Sequence, residues 1–421
     1  MKFDTILEQG AYNPAENRNS IGVPIYQSSA FYFDTVQYAA DLFDLKCGGD
    51  IYSRLSNPTV DVLEQRLAAL EGGVGALCTS SGQSASLIAV LNIAKAGDEI
   101  VASSSLYGGT YNLLNFTLRR LGINTTFVNV NDLAAVKAAI TDKTKGIFAE
   151  MIGNPKLDTP DVEALSKLAH DNGIPLIIDN TVPSPFLYNP IKHGADIVVH
   201  SMTKYISGHG NMMGGVVIDS GNFDWAKSGK FDCLAKPDAS YHGLTYTEAF
   251  GKAAFIVRAR ANLVRDLGCC LNANAASMFL TGLETLHLRM KRHSESALKV
   301  AQFLKSNPYA ENVNYPLCEE NENYDLAKKY FTKGASSIVT FEVKGGKEKA
   351  VKFIENLKLF IHATNIGDAR SIVTYPCLTT HRQLNDEELK ACGISSTFIR
   401  LSIGLEDIDD IIADLDKALK A

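Results

Sequence analysis

From Val74 onward, short continuous apolar runs alternate with stretches of helical periodicity, and this alternation limits the folds open to the chain. Continuous apolar runs separated by helices indicate strands that are buried on both faces of a mostly parallel sheet. The chain is therefore predicted to be an α/β protein, with a ligand expected at the carboxyl ends of its strands. The runs lie at 74–78, 99–102, 147–151, 176–178, 197–199 and 216–218.

The first part of the chain lacks this alternation. Residues 1–56 show no sustained helical period and are interpreted as an extended arm. Asn57 and Pro58 then provide an N-cap followed by proline at the first helical position, and the helical spacing is expected to stop at Gly72. The arm is therefore expected to lead into a helix that precedes the sheet.

Beyond about residue 255 the sequence changes again. Long helical patterns are followed by single strands and a further helix, which is typical of a smaller α+β domain. The helices are predicted around 283–292, 294–305 and 347–356, and the strands at 337–343 and 398–403. A chain of 421 residues is expected to form more than one domain. We expect an arm (1–56), an α/β domain (57–255) and a C-terminal α+β domain (256–421).

Composition and charge disfavour several classes of protein. A net charge of −6 without a long basic run disfavours nucleic-acid binding. The start of the chain lacks the apolar core of a signal peptide, and no stretch approaches the roughly 18–20 apolar residues of a membrane span. A cytoplasmic protein with no membrane partner is therefore expected. The eight cysteines contain no Cys-x-x-Cys and the nine histidines show no ligand spacing, so no metal site is predicted.

Polar residues that follow predicted strands are expected to open onto one crevice. They are Asp179, the segment 201–204 (Ser-Met-Thr-Lys) and the segment 80–83 (Ser-Ser-Gly-Gln). Pyridoxal 5′-phosphate needs an amine for its imine, an acid for its ring nitrogen, donors for its phosphate and usually an aromatic ring. Lys204 supplies an amine, and Asp179 a carboxylate that would favour a protonated ring nitrogen. Taken alone, each would more often be a surface or capping residue.

The phosphate and the ring have candidates too. Gly82 and Gln83 open the helical stretch 84–94, so their backbone N–H groups would lie at a helix N-terminus, where an anion is favoured. An ordinary strand-to-helix turn is the alternative. Tyr107 follows another predicted strand and could stack on the ring, although a single tyrosine more often packs or caps an edge.

Arg400 is the candidate for binding a substrate carboxylate. It alternates with the apolar Ile399 and Leu401, so it should lie on the opposite face of its strand. A guanidinium there could bind a carboxylate in a fork. A salt bridge at the rim is the alternative.

Two other motif interpretations fit less well. Residues 201–204 match the Ser-x-x-Lys of serine acyl-enzymes, but the chain lacks the Ser-Asp-Asn and Lys-Thr-Gly elements that accompany it. The next glycine after Gly208 and Gly210 is Gly214, so the dinucleotide motif Gly-x-Gly-x-x-Gly is not met. Pyridoxal phosphate chemistry is therefore favoured over both.

Five motifs together resemble those of the Cys/Met-metabolism family of pyridoxal-phosphate enzymes, and the likeness covers nearly the whole chain. The motifs lie at 49–59, 80–83, 179–181, 201–205 and 400–406. The resemblance implies fold type I, the aspartate-aminotransferase-like fold, with a mostly parallel sheet and a smaller C-terminal α+β domain. It also implies a homotetramer built from dimers.

The resemblance implies roles for the candidate cofactor residues. Lys204 should be the Schiff-base lysine, Asp179 the partner of the ring nitrogen and Tyr107 the stacking residue, and these three should be the catalytic residues. The phosphate should be held by Gly82, Gln83, Ser201 and Thr203.

The resemblance also implies roles outside the main cofactor crevice. Tyr52 and Arg54 match family residues that reach the phosphate from the neighbouring subunit, so each active site would be shared by two chains. Arg400, with help from Asn154 and Ser371, should bind the α-carboxylate of the substrate.

Within the family, several stretches are most similar to the O-acetylhomoserine sulfhydrylases, also called homocysteine synthases. They lie at 237–244, 283–290, 365–371 and 379–384, and Gly109 fits because methionine γ-lyases typically carry cysteine there. The stretches 269–273 and 375–378 differ from the sequence that is more common in the family at these positions. The implied reaction is γ-replacement on O-acetyl-L-homoserine by sulfide or a thiol, giving L-homocysteine and acetate. The alternatives are methionine or cystathionine γ-lyase, cystathionine γ-synthase and, from another class, a catalytically silent regulatory protein.

Overall fold

The strands of the chain form two separate sheets, of seven and five strands. The computed structural model describes residues 1–379, 382 and 394–421. The larger sheet lies within residues 75–219 and the smaller within 310–402. The domain boundaries after residues 56 and 255 stay predictions.

The seven-stranded sheet has the order β1-β7-β6-β5-β4-β2-β3. Strand β7 runs antiparallel to both β1 and β6, and the other pairs are parallel. The prediction of a mostly parallel sheet is therefore confirmed. The strands are β1 (Gly75–Thr79), β2 (Glu99–Ser103), β3 (Asn124–Val128), β4 (Thr144–Glu150), β5 (Leu176–Asp179), β6 (Ile197–Ser201) and β7 (Gly215–Asp219).

Strand β3 was not among the predicted strands. It begins Asn-Thr-Thr and lies at one edge of the sheet, where its residues are only partly buried. An edge strand of this kind carries no continuous apolar run, because one side of it faces solvent.

The two faces of this sheet contribute to two different apolar cores, because successive side chains of a strand point to opposite faces. Leu176 and Ile178 belong to one core with Leu67, on the helix Pro58–Glu71. Ile177 belongs to the other. That second core also contains Ala85, Ile88 and Ala89 of the helix Gly82–Leu91.

The helix Pro58–Glu71 has the ends that its sequence predicts. The side-chain oxygen of Asn57 accepts a hydrogen bond from the Thr59 N–H at 3.1 Å, which caps the first turn. Gly72 has φ +81°, the left-handed conformation in which glycine commonly ends a helix.

The N-terminal segment differs from the expected extended arm, because it contains two short α-helices, Phe3–Gln9 and Val36–Phe43. Each is too short to repeat its apolar spacing, which hides the helical period in the sequence. Leu7 is nevertheless fully buried, and Arg66 donates to the carbonyl oxygens of Leu7 and Gly10. The start of the chain is thus fixed to the helix Pro58–Glu71.

The five-stranded sheet has the order β10-β11-β12-β9-β8. Its pairs are antiparallel except β10 with β11. The strands predicted at 337–343 and 398–403 are confirmed as β9 and β12. The members are β8 (Ala310–Asn314), β9 (Ile338–Val343), β10 (Ile361–His362), β11 (Ile372–Thr374) and β12 (Phe398–Ser402).

The helices predicted around 283–292 and 294–305 are wrong in one respect, because Leu286–Ser306 forms a single helix of 21 residues. The helical structure is interrupted earlier, at Thr285, which separates this helix from the preceding helix Ala273–Glu284. His293 and Ser294 lie where the two predicted helices would have been separated, and both are buried inside the single helix. His293 Nδ1 lies 2.7 Å from the carbonyl oxygen of Ile403, so one ring nitrogen has a partner inside the protein.

The other helical segments connect these strands. Further α-helices lie at Gly108–Asn112, Leu118–Arg120, Leu133–Ala139, Val162–Asp171, Ser184–Leu187, Trp225–Ser228, Asp232–Ala235, Tyr246–Phe250, Ala254–Arg258, Arg265–Leu267, Tyr324–Tyr330, Lys347–Asn356 and Ile408–Lys420. Two π-helical segments lie at Leu113–Thr117 and Ala259–Val264. Short 3₁₀ turns lie at Pro14–Glu16, Pro190–His193, Ala239–Tyr241, Gly251–Ala253 and Pro376–Leu378.

Two properties of the described residues bear on membrane and metal partners. None of the helices there has both the length and the apolar character needed to cross a membrane. Nor do those residues contain a group of three or more His, Cys, Asp or Glu side chains placed to hold a metal ion.

Candidate active site

The carboxyl ends of β5 and β6 are joined by hydrogen bonds and carry polar side chains on neighbouring positions. The N–H of Asn180 donates to the carbonyl oxygen of Val199 at 3.0 Å. The N–H of Ser201 donates to Thr181 Oγ1 at 2.8 Å. The expected meeting of Asp179 with the segment 201–204 at one end of the sheet is therefore found in the structure.

The N-terminus of the helix Gly82–Leu91 lies against the same strand end. A Cβ atom built on Gly82 would come within 2.5 Å of Ser201 Cβ, so only glycine allows the helix this approach. Ser81 caps the helix by accepting the Ser84 N–H at 3.1 Å. The first backbone N–H groups of the helix and the hydroxyl of Ser201 thus form a cradle suited to an anion.

Thr203 lies next to this cradle in the turn after β6. Its Oγ1 accepts the Gly214 N–H at 3.1 Å, which ties the turn to the segment entering β7. The turn is fixed by backbone contacts, so the side chains of Ser201 and Thr203 keep a defined position relative to Gly82.

Lys204 presents a buried amine at this site. Its Nζ donates to Asn365 Oδ1 at 2.7 Å. Burial, helped by the nearby positive charge of Arg400, lowers the pKa of Lys204 to about 8. With that pKa, roughly a tenth of this amine is neutral, and nucleophilic, at pH 7.

Asp179 lies beside a second carboxyl group, Glu150, which is its register partner on β4. Asp179 Oδ1 accepts the Thr181 N–H at 2.9 Å, and Glu150 Oε1 accepts the Tyr107 N–H at 2.6 Å. Burial raises the pKa of both groups, and for Glu150 the charge of Asp179 adds to the effect. A cation placed next to Asp179 would therefore be stabilised strongly.

Tyr107 lies at the start of the helix Gly108–Asn112, and its ring is half exposed. A side chain at Gly109 would collide with the Tyr107 ring and with the amide nitrogen of Gln83. The tyrosine ring, Gln83 and the anion cradle at Gly82 are therefore close neighbours. An exposed aromatic face next to an anion cradle is suited to a flat phosphorylated ring.

Arg400 lies on β12 of the smaller sheet, and its side chain is buried. Its NH1 lies 3.2 Å from Asn154 Oδ1 and its NH2 3.2 Å from Thr374 Oγ1. The predicted alternation is confirmed, since Ile399 and Leu401 lie in the apolar core. Burial lowers the pKa of Arg400 to about 10, so the guanidinium stays charged at neutral pH.

The hydrogen bonds of Ser371 go to Glu406 and Gly404 rather than to Arg400. Its hydroxyl donates to Glu406 Oε2 at 2.9 Å and accepts the Gly404 N–H at the same distance. Its N–H donates to Glu406 Oε1 at 2.7 Å. Ser371 therefore supports the strand that carries Arg400, while the oxygen atoms next to Arg400 come from Asn154 and Thr374.

Tyr52 and Arg54 do not join the cluster within one chain. The Arg54 guanidinium lies 5.0 Å from the centre of the Tyr52 ring, and both side chains are exposed. Across the described part of the chain, no hydrogen bond or salt bridge links either residue to Lys204 or Asp179.

Three residues that contact the predicted site were missed by the sequence interpretation: Asn365, Thr374 and Glu150. Glu150 ends an apolar strand as Asp179 does, so the strand-end argument could have found it. Asn365 and Thr374 belong to the smaller sheet region and carry no local signal that would connect them to Lys204 or Arg400. Of the resembling stretch 379–384, only Thr379 and Arg382 lie within the described residues.

The arrangement fits pyridoxal phosphate. An amine of lowered pKa, a buried carboxylate that favours a neighbouring cation, a glycine-lined anion cradle and an exposed tyrosine face lie at one end of one sheet. These are the groups that bind the aldehyde, the ring nitrogen, the phosphate and the ring of this cofactor. Fold and site together define a pyridoxal-phosphate-dependent enzyme of fold type I.

Comparison with known proteins gives the family. Residues 4–420 match the family described as Cys/Met metabolism PLP-dependent enzyme, and the chain belongs to it. The O-acetyl-L-homoserine sulfhydrylase of Leptospira meyeri is 53% identical to it, over 100% of this chain and 97% of that protein. The homocysteine synthase of Schizosaccharomyces pombe is 45% identical, over 99% of this chain and 98% of that protein.

A solved structure has the same fold over its whole length. The crystal structure of a putative O-acetylhomoserine (thiol)-lyase from Campylobacter jejuni matches with a TM-score of 0.97 at 42% identity, and each chain is covered completely. It contains N′-pyridoxyl-lysine-5′-monophosphate, a lysine that carries the cofactor. The expectation of a pyridoxal-phosphate enzyme is thereby confirmed.

Proposed function

We propose that this enzyme catalyses γ-replacement on O-acetyl-L-homoserine with sulfide or a thiol, giving with sulfide L-homocysteine and acetate. The observation that carries the proposal is the full-length similarity to sulfhydrylases, with a sequence identity of 53% to the Leptospira meyeri protein. The site supports it, because an amine of lowered pKa lies close to a buried guanidinium. An α-amino acid needs both groups, one for proton transfer and one for its carboxylate.

Lys204 carries the cofactor and moves the protons in this proposal. Pyridoxal phosphate, when bound, supplies the electron sink that makes the Cα–H bond of an amino acid acidic. The freed amine of Lys204 takes the proton from Cα and assists the second proton loss at Cβ. The Cγ–oxygen bond then breaks, acetate leaves, and sulfide forms the new Cγ–sulfur bond before the protons return.

The remaining cofactor residues hold the ring and the phosphate. Asp179 stabilises positive charge on the ring nitrogen, and Tyr107 stacks on the ring. The phosphate is bound by the cradle residues described above, namely Gly82, Gln83, Ser201 and Thr203.

Arg400 binds the substrate's α-carboxylate in this proposal. Asn154 Oδ1 and Thr374 Oγ1 each lie 3.2 Å from one of its terminal nitrogens, which orients the guanidinium plane. Ser371 acts through its contacts with Glu406 and Gly404, so its part is support rather than direct binding.

A second copy of the chain completes the site. Tyr52 and Arg54 are exposed, and within the described residues neither has a hydrogen bond or salt bridge to Lys204 or Asp179 of its own chain. We therefore propose that they bind the phosphate of a neighbouring subunit. The arm also exposes Ile21, Tyr32 and Val36 almost fully, a surface that a second copy would cover. We propose a homotetramer of such dimers, working in the cytoplasm.

The reaction is tested with purified protein and three substrate sets. O-acetylhomoserine plus sulfide should yield homocysteine, while methionine alone should yield little 2-oxobutanoate and O-succinylhomoserine plus cysteine little cystathionine. The Lys204→Ala variant should be inactive, and Lys252→Ala, which changes an exposed lysine, should match the parent. Turnover of methionine without homocysteine formation would identify a γ-lyase instead, and preferred cystathionine formation a cystathionine γ-synthase.

The shared site is tested by mixing two inactive proteins, Arg54→Ala and Lys204→Ala. If the arms cross between subunits, some mixed dimers combine an intact arm with an intact lysine, and partial activity returns. If each site is built within one chain, every mixed dimer has two damaged sites. Absence of recovery, with subunit exchange demonstrated by mass spectrometry, would refute the shared site.

A further inference from the structure

A buried polar cluster lies on the face of the seven-stranded sheet opposite to the cofactor side. It consists of Glu71, Asn180 and His200, each at most 1% exposed. The two donors converge on one oxygen: Asn180 Nδ2 lies 2.9 Å and His200 Nε2 2.7 Å from Glu71 Oε1. Burying a carboxylate is costly unless it is hydrogen-bonded, so these contacts stabilise it.

The cluster is connected to the cofactor site through the strand ends themselves. Asn180 directly follows Asp179, and His200 directly precedes Ser201. Successive side chains of a strand point to opposite faces. Asn180 and His200 therefore lie on the face covered by the helix Pro58–Glu71, while Asp179 and Ser201 lie on the face covered by the helix Gly82–Leu91.

We propose that Glu71 is a positioning residue of the cofactor site. Its Oε1 atom holds the ends of β5 and β6 together on one face of the sheet. This fixes the spacing of Asp179 and Ser201 on the other face. Asp179 is the group proposed for the ring nitrogen and Ser201 one of those proposed for the phosphate. The residues that would contact the ring nitrogen and the phosphate of the cofactor are thereby held at a fixed separation.

The cluster also bears on the charge at Asp179. Burial raises the pKa of Asp179, and the neighbouring His200 acts against that shift. Geometry and charge can be separated experimentally, because glutamine keeps the accepting oxygen and loses the charge, whereas aspartate keeps the charge and withdraws the oxygen.

The test compares Glu71→Gln with Glu71→Asp. Aspartate shortens the side chain by about 1.5 Å, enough to take both contacts beyond hydrogen-bond range. If position matters, Glu71→Asp should raise the dissociation constant for pyridoxal phosphate and lower kcat, each by about tenfold or more, since a misplacement of this size is that costly. The KM should change by less than about threefold, because Arg400 lies on the other sheet. Glu71→Gln should stay within about threefold of the parent in all three quantities.

The measurements are absorbance titration of cofactor-free protein with pyridoxal phosphate, circular dichroism of the bound cofactor, thermal melting, and kcat and KM. The matched control is Glu163→Asp, which shortens a carboxylate lying 2.9 Å from His193 Nδ1 on the surface. The control should leave cofactor binding unchanged. Cofactor titration needs no amino-acid substrate, so this result is independent of whether the proposed reaction is correct.

Three outcomes would overturn the inference. Cofactor affinity within twofold of the parent in both variants would mean that Glu71 has no role there. A lower melting temperature in Glu71→Asp with unchanged cofactor affinity would mean that the role is structural only. Equal losses, or a larger loss in Glu71→Gln, would mean that oxygen position is not what matters. If Glu71→Asp does not fold, His200→Gln and His200→Asn repeat the comparison from the donor side, with the shorter asparagine expected to be the weaker binder.

Discussion

The amine of Lys204 should titrate far below an ordinary lysine, and this can be measured before any cofactor is added. Its pKa is lowered to about 8, against about 10.4 for an unperturbed lysine. At pH 8 about half of this amine is then neutral, compared with roughly 0.4% of an ordinary one. Its reactivity toward an electrophile at that pH should therefore exceed that of ordinary lysines by roughly a hundredfold, if access is equal.

The assay is competitive labelling of the cofactor-free protein with trace acetic anhydride. Labelling is carried out at a series of pH values from about 6 to 11, and mass spectrometry of the digest reports each lysine peptide separately. The other lysine peptides of the same digest serve as internal references for reagent decay. The midpoint for Lys204 should fall near pH 8 because burial disfavours its charged form.

The two causes of the shift can be separated with Arg400→Gln. Removing a neighbouring positive charge favours the ammonium form, so the Lys204 midpoint should rise. It should still remain below that of an ordinary lysine, since burial is the larger cause. A parent midpoint above about 9.5 would refute the reasoning, and so would a lower midpoint in the variant.

Three further predictions concern the carboxyl and guanidinium groups of the site. Asp179→Asn should keep most of the cofactor and reduce kcat at least about tenfold, because a charge-assisted contact contributes about 1.5–3 kcal/mol; kcat within a few-fold of the parent would contradict this. Arg400→Lys should raise KM about tenfold with a smaller change in kcat, measured by steady-state kinetics, because an ammonium cannot replace the fork. Glu150→Gln should retain kcat within about threefold, because the amide oxygen can still accept the Tyr107 N–H.

The sequence predicted the buried strands because their signal is local. Strands β5 and β6 are short apolar runs that end in polar residues, and the two positions that follow them, Asn180 and Met202, lie in the interior. Strand β3 has no such run because it is an edge strand. The helix Leu286–Ser306 continues through His293, a polar residue that is fully buried. Burial of polar groups depends on partners elsewhere in the chain, here Ile403, which no local pattern contains.

The candidate site shows the same difference between residues with a local sequence signal and residues that depend on distant partners. Lys204 and Asp179 could be found from strand ends, since the carboxyl ends of parallel strands lie at one edge. Asn365 and Thr374 could not, because they contact Lys204 and Arg400 over sequence separations of 161 and 26 residues. Thr374 lies opposite Arg400 on the neighbouring strand of the smaller sheet, a pairing that no local pattern contains. Ser371 shows the reverse case: the family resemblance named it, and the structure assigns its hydroxyl to Glu406 and Gly404.

The pair formed by Glu150 and Asp179 explains why two neighbouring carboxyl groups should behave differently. They are register partners on adjacent parallel strands, and two like charges so close and so buried are unfavourable together. Burial and the charge of Asp179 raise the pKa of Glu150 well above its usual range, and one oxygen of Glu150 accepts the Tyr107 N–H. Burial also raises the pKa of Asp179, while Thr181 and the neighbouring His200 act against that shift. A protonated ring nitrogen next to Asp179 would favour its ionised form further, which is why removing the charge at Asp179 should be costly while neutral glutamine at Glu150 should be tolerated.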